Sequence, residues 1–226
     1  MLYFYRAALE DLDVISDSGL ETGSGRVVAL YPSLDAVQTE QDGPVLAIDP
    51  YALSDTPSST NAAPVRVDRV PAEAIQNLDP YRPPTPVTAA GGLIAGQLDD
   101  GDVALLLIFR REVWDLPKGK CVAGESMQEC AVREVQEEVG IDELTCERPL
   151  DTTVHGYPDG DRYAVKTTHW FLMRTAERSY TPQSEEDIER AAWARWETAY
   201  ERVGYDTLRR LLDRCEDDVR RTLAGS

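Results

Sequence analysis

Short alternating or wholly apolar runs dominate the first third of the chain. LYFYRAAL, GRVVALYP, PVLAID and VRVDRV each read as short strands, and Ala72–Leu78 as about two helical turns. Two stretches break the pattern. LSDTPSSTNAAP (53–64) is rich in Ser, Thr and Pro, and DPYRPPTPV (79–87) carries four prolines, which neither helix interiors nor central strands accept. A boundary near residue 85 is therefore expected, with a small β-rich module over 1–82 and a second domain over 83–226. Beyond it, AAGGLIAG, DVALLLIFR, TTVHGYP, YAVKTTHWFLMRT and AAWARW read as strands or strand starts. One helix is expected from Ser126 to Val139 and another from Tyr205 to Leu223. In the latter, Leu208, Leu211, Leu212, Cys215, Val219 and Leu223 recur at three- and four-residue steps, the mark of a core-facing stripe. Strands and helices in this order predict an α/β or α+β sandwich.

Composition narrows the partners. Of the 226 residues 42% are apolar and 28% charged, which is globular composition. The longest clean apolar run, Val103–Phe109, and an acidic N-terminus fit neither a membrane span nor a signal peptide, so no membrane partner and a cytoplasmic location are expected. The net charge of −18 opposes binding to a phosphate backbone, so no nucleic acid is expected as partner. Only three of the 23 cations are Lys (Lys118, Lys120, Lys166) and the rest are Arg, a profile resembling proteins of a high-salt, halophilic cytoplasm. At molar salt the Debye length is about 3 Å and self-repulsion is largely screened. Cys121, Cys130, Cys146 and Cys215 show no C-x-x-C spacing, so reduced thiols are expected. The oligomeric state stays open.

The chemistry concentrates in GKCVAGESMQECAVREVQEEVGI, residues 119–141. Ser126 followed by Glu129 is a capping box that starts a helix, and Gly140 ends it. At 100° per residue Glu134, Glu138 and Glu137 fall at about 0°, 40° and −60°. Ala131, Val135, Val139 and Val132 occupy the neighbouring arc from about 60° to 160°, so the three carboxylates sit at the edge of a buried face. Like charges at these spacings each cost about 0.2–0.5 kcal/mol, more when partly buried. Arg133 reaches Glu137 at i,i+4 but leaves two charges uncompensated, and clustered carboxylate oxygens suit a hard divalent cation. Magnesium is the expected cofactor, with manganese as the alternative. Acidic helix faces are ordinarily just solvated; here the spacing argues otherwise.

The segment resembles the signature of the Nudix hydrolase family, G-x5-E-x7-R-E-U-x-E-E-x-G-U with U a bulky aliphatic residue. It does so at all nine specified positions: Gly119, Glu125, Arg133, Glu134, Val135, Glu137, Glu138, Gly140 and Ile141. The resemblance covers roughly Pro86–Glu201. It implies an α/β/α sandwich around a mixed sheet, with the motif as a metal-binding loop, helix and loop. The implied activity is hydrolysis of a phosphoanhydride in a nucleoside diphosphate linked to another group. It further implies Glu134 and Glu138 as principal metal ligands, Glu137 as a further or water-mediated ligand and Gly119 as a backbone ligand. Arg133 would orient Glu137, with Glu125 in support.

The general base is expected among carboxylates: a motif glutamate such as Glu134 or Glu137, or Glu186 in TPQSEEDIERAAW, with Glu185 and Asp187 as alternatives beside the reading of that loop as merely solvated. His155 and His169, the two histidines, lack metal-ligand spacing and read as structural. Lys118 and Lys120 flank Gly119, placing compact cations for phosphate binding; Lys166 alternates with Thr168 and Trp170 and is a further candidate. Trp114, Tyr157 and Tyr163 are candidates for stacking on a base, against core packing as the ordinary alternative. WDLPKGK, KTTHWFLM and EEDIERAAW resemble the branch that contains diadenosine polyphosphate and diphosphoinositol polyphosphate hydrolases. A small-molecule nucleotide is thus expected as substrate, first a dinucleoside polyphosphate, then an oxidised nucleotide or nucleoside triphosphate, then ADP-ribose or a nucleotide sugar. A catalytically silent nucleotide sensor is the reading from another class, and an interaction role for residues 1–82 a third.

Overall fold

The structure is a computed structural model and describes every residue except 22–26, 38–42, 54–62, 178–179, 183–186 and 226. The chain divides into two units, Met1–Val87 with Val154–Lys166, and Thr88–Thr153 with Thr167–Ser226. The sequence places a break near residue 85 but gives no sign that 154–166 groups with the N-terminal part.

In the first unit β1 (Tyr3–Arg6) pairs antiparallel with β4 (Val45–Ile48). Likewise β2 (Leu20–Glu21) pairs with β6 (Arg69–Val70), and β3 (Val28–Leu30) with β5 (Val65–Val67). Tyr3, Leu30, Leu46, Ile48 and Val70 are fully buried between them. Buried Asn77 meets its amide valences locally: its Oδ1 accepts from Ala47 N at 2.8 Å, and its Nδ2 donates to Val45 O and Arg82 O at 2.9 Å each. An unsatisfied amide there would cost about 1–3 kcal/mol. A short helix α1 (Leu12–Ser18) was not expected, and the two helical turns expected over Ala72–Leu78 shrink to one 3-10 turn, Ala72–Ala74. Most of the expected linker 53–64 lies outside the described residues.

The second expected linker is corrected: β7 begins within it and runs Pro84–Gln97. Pro84 and Pro86 are two residues apart, so their missing N–H groups fall on one strand edge, opposite the edge where Pro83 O accepts from Tyr163 N at 3.0 Å. The remaining strands are β8 (Val103–Arg110), β9 (Val113–Asp115), β10 (Lys118–Lys120), β11 (Thr145–Asp159), β12 (Arg162–Arg174) and β13 (Ile188–Arg195). Among the described residues they form a seven-stranded sheet in the order β11-β12-β7-β8-β13, with β10 on β7 and β9 on β8. β8 pairs antiparallel with β7, β9 and β13. Residue numbers rise together along β7 and β12, from Pro83 beside Tyr163 to Gly92 against Met173, so these two run parallel and the sheet is mixed.

Alternation along the strands divides the second unit into layers. Leu106, Ile108, Phe171 and Met173 face Cys130, Ala131, Val135 and Val139 of α2 (Met127–Val139). Leu105, Leu107, Trp170 and Leu172 face α3 (Trp196–Arg202) and α4 (Asp206–Ala224) through Trp196, Leu208, Leu211 and Val219. The result is the expected α/β/α sandwich around a mixed sheet, with α3 as an unforeseen addition. No helix among the described residues is long and apolar enough to cross a membrane.

Candidate active site on the glutamate-rich helix

The start of α2 is built as its sequence dictates. Ser126 Oγ accepts from Glu129 N at 3.2 Å and Glu129 Oε2 accepts from Ser126 N at 2.7 Å, a reciprocal cap that holds the Glu129 carboxyl below its ordinary pKa. Gly140 closes the helix in the left-handed region, φ 71°, where a Cβ would collide with Thr181 O. Between these ends Glu134 and Glu138 are buried and Glu137 is exposed, matching the arc derived from the helical period.

Arg133 is the hub. It donates to Glu125 through Nε at 3.1 Å and Nη2 at 2.8 Å, to Glu134 Oε1 at 2.7 Å, to Glu137 Oε2 at 3.1 Å and to Lys120 O at 3.3 Å. Glu125, expected only in support, thus receives the two-pronged bond, and Glu137 shares Nη1 with Glu134. Bonding to Glu125 above all, then Glu134, raises the guanidinium pKa against the opposing effect of partial burial. The Glu125 carboxyl is lowered in turn, first by Arg133 and then by the N–H of Val122 at 2.6 Å. Gly119 is required by contact: a Cβ there would overlap the Glu134 carboxylate, 2.6 Å from Oε1 and closer still to its other atoms. Loop backbone and carboxylate therefore share one small space.

A second, buried network lies behind. Glu138 Oε2 accepts from Lys118 N at 2.7 Å and its Oε1 from Arg110 Nη1 at 3.3 Å. Arg110 Nε lies 3.2 Å from Asp115 Oδ2, which also accepts from Lys118 Nζ at 3.0 Å. Arg110 and Asp115 were missed from the sequence; the available signal was a charged pair at the two ends of one tight hairpin, turned by Arg111 and Glu112 at φ 47° and 65°. Among the described residues, five carboxylates (Asp115, Glu125, Glu134, Glu137, Glu138) thus share three cations (Arg110, Lys118, Arg133) in a partly buried space. The donor set is carboxylate and carbonyl oxygen, the preference of Mg²⁺ and Mn²⁺. The residues present fit the group.

Other expected site residues are dispersed. Lys118 Nζ is buried against Asp115 instead of reaching toward solvent, whereas Lys120 is exposed beside Gly119. Trp114 pairs with Phe109, whose parity is that of Leu105 and Leu107, so its ring lies on the α3/α4 side, 5.2 Å from the Phe109 ring and with Arg190 stacked over it. That is the opposite side from α2. Lys166 belongs to the first unit and shares the parity of Trp170 and Leu172, not of Phe171 and Met173. Tyr163 is core in the first unit and Tyr157 stacks on His155 there. His169 has the parity of the α2-facing residues. Glu186 and Glu185 lie outside the described residues; Asp187 is exposed and paired with Arg111 at 3.2 Å.

The reduced-thiol expectation is corrected for two of four cysteines. Cys121 and Cys130 form a disulfide, because the turn at Gly124 (φ 94°) folds the loop back onto the first turns of α2 and brings their Cα atoms to 5.3 Å. Cys146 and Cys215 remain free, and burial pushes the Cys215 thiol up to about 11.

Comparison with known proteins gives a consistent family. The NUDIX domain model matches residues 87–215. A protein named MutT4 from Mycobacterium tuberculosis is 35% identical over 135 residues, covering 56% of this chain and 53% of the relative. An RNA pyrophosphohydrolase from Sphingopyxis alaskensis is 31% identical over 105 residues, covering 42% and 63%. The chain thus spans between half and two thirds of the length of these relatives. Among solved structures, a C. elegans Ap4A hydrolase covers 62% of this chain and 99% of its own at 23% identity and a TM-score of 0.48.

Proposed function

The chain belongs to the Nudix family, and on that premise we propose that it is a divalent-metal-dependent pyrophosphohydrolase. Its substrate is a nucleoside diphosphate joined to a second group, a dinucleoside polyphosphate first. The observation that carries this reading is the crowding of the Glu134 carboxylate against the Gly119 backbone, with buried Glu138 held on the adjacent Lys118 N–H. Glu134, Glu138 and the Gly119 carbonyl would hold Mg²⁺ or Mn²⁺, with Glu137 as an outer ligand. When bound, such an ion would neutralise charge on the anhydride oxygens and lower the pKa of a bound water.

The rest of the chemistry belongs to the chain. Arg133 keeps Glu125, Glu134 and Glu137 at fixed separations, so little reorganisation is needed on binding. Arg110 and the N–H of Lys118 orient Glu138 from behind. Exposed Lys120 contacts the substrate phosphates, and Lys118 acts through Asp115. A carboxylate takes the proton of the attacking water: Glu186, which precedes β13 in sequence, or Glu134 or Glu137 of the helix. Residues 1–82 are kept as a separate module beside the catalytic domain over 83–226, and the reaction is placed in a high-salt cytoplasm.

A second reading is a nucleoside triphosphate or oxidised-nucleotide pyrophosphatase. It is supported by the similarity to an RNA pyrophosphohydrolase and to an 8-oxo-dGTP diphosphatase from Proteus vulgaris, the latter 44% identical over 46 residues. A silent sensor has no need of so costly a carboxylate cluster. The deciding experiment is a panel of diadenosine tetraphosphate, nucleoside triphosphates, 8-oxo-dGTP and ADP-ribose with and without Mg²⁺, products resolved by chromatography. The leading reading expects asymmetric cleavage of the dinucleotide, abolished in a folded Glu138→Gln variant; absence of turnover on every substrate would overturn the enzyme assignment.

A further inference from the structure

A sulfur-rich knot between β10 and the first turn of α2 takes no part in the function proposed above. Cys121 and Cys130 are joined, Cys121 Sγ lies 3.8 Å from Met127 Sδ, and Cys130 Sγ lies 3.9 Å from Gly119 O. A Glu125 carboxylate oxygen and the two cysteine sulfurs all lie within 4.8 Å of one another. Thiolate and thioether donors select soft and borderline ions such as Cu(I), Zn²⁺ and Cd²⁺, unlike the oxygen donors of the neighbouring carboxylate site. We propose that, once its disulfide is reduced, this knot binds one thiophilic metal ion through Cys121, Cys130 and Met127, with Glu125 as fourth donor, and that the bound ion inhibits hydrolysis.

Geometry supports the site. Two sulfurs on a tetrahedral ion with bonds of about 2.3 Å stand about 3.8 Å apart. Cys121 and Met127 already have that spacing. Cys121 and Cys130 reach it by side-chain rotation after the S–S bond opens, their Cα atoms at 5.3 Å needing no displacement. Access is from the loop side, where Val122, Ala123 and Gly124 are exposed. The steps balance. A phosphine or dithiol gives two electrons to the S–S bond, which breaks to two thiols; with a phosphine, water supplies both thiol protons and the oxygen of the phosphine oxide, and with a dithiol its own two protons pass over as it closes to a cyclic disulfide. A divalent ion then displaces the two thiol protons to solvent. Inhibition follows from position: recruiting Glu125 takes it from Arg133, and Cys130 Sγ adjoins Gly119 O. Only this inhibitory half rests on the proposed hydrolase function.

The test uses the full chain reduced with a phosphine and titrated with Cd²⁺ alone, read by the ultraviolet sulfur-to-cadmium charge-transfer band. One equivalent is expected, with the band lost in the unreduced protein and in Cys121→Ser and Cys130→Ser, and retained in Cys146→Ser. Met127→Leu, which keeps both thiols, retains the band at weaker affinity and guards against misfolding of the serine variants. No band in reduced protein, or an undiminished band in either serine variant, overturns the site. In parallel, Mg²⁺-dependent hydrolysis by the reduced protein is expected to be lost on adding one equivalent of Cd²⁺ and restored by a chelator. A full band with unchanged hydrolysis overturns the inhibitory half alone. Absence of any hydrolysis would count against the proposed function, while the band would still decide whether the metal site exists.

Discussion

Replacing Gly119 by Ala separates catalytic geometry from stability. The new Cβ would sit 2.6 Å from Glu134 Oε1 and nearer to its other carboxylate atoms. Ordinary carbon contacts begin near 3.5 Å, so something must retreat by more than about 1 Å. The β10 backbone is held by its ladder, where Gly119 pairs with Ala90, so the carboxylate moves and its 2.7 Å bond from Arg133 is stretched. Because the displaced group is the end of a side chain, the fold loses only about 1 kcal/mol, which is about 2–4 °C of melting temperature for a chain this size. A misplacement of about 1 Å at a reacting centre costs on the order of 100-fold in rate. The assay is kcat with Mg²⁺ on the best substrate of the panel, alongside a thermal melt. Gly124→Ala is the control: no atom stands near its Cβ, but φ 94° is strained for alanine, so it should lower the melting temperature while keeping kcat. Gly119→Ala with kcat within about threefold of the parent, under 1 kcal/mol of barrier, would refute the reasoning.

Arg133→Lys replaces a fork serving Glu125, Glu134 and Glu137 with a single ammonium, and should lower kcat about 10- to 100-fold with a smaller change in KM; equal losses in both would argue for a merely structural role. Asp115→Asn removes the carboxylate that buried Lys118 shares with Arg110 and should cost about 3 kcal/mol in denaturant unfolding, part of it recovered when Lys118→Met is added. Burial first, then the charge of Asp49, pushes the Tyr163 hydroxyl up to about 12 from 10.0. The unfolded chain therefore releases this proton first, and the contribution is intact below pH 10 and lost as the pH rises towards 12, which Tyr163→Phe should abolish in melts across that window. With a net charge of −18 the melting temperature should climb with KCl as self-repulsion is screened; a flat response would remove the halophilic reading.

What was legible from residue order alone is what depends on near neighbours. The cap at Ser126, the stop at Gly140, the arc of Glu134, Glu137 and Glu138, and the buried stripe of α4 all follow from contacts within about one helical turn, and they stand as expected. The unbroken apolar run read as a strand at Val103–Phe109 is β8, buried on both faces. Contacts distant in sequence were not legible. Trp114 and Lys118 sit four residues apart in one segment, yet pairing register turns one ring to the far side of the sheet and folds the other side chain onto Asp115. The partners of Glu138 come from 28 and 20 residues away, and the Cys121–Cys130 bond needs the loop to double back through Gly124. Prolines that read as a linker became strand because their bare edge faces away from the ladder. Local periodicity thus determined which carboxylates stand together, and the tertiary structure alone decided which cations meet them, because strand register and loop closure bring together residues that no local period relates.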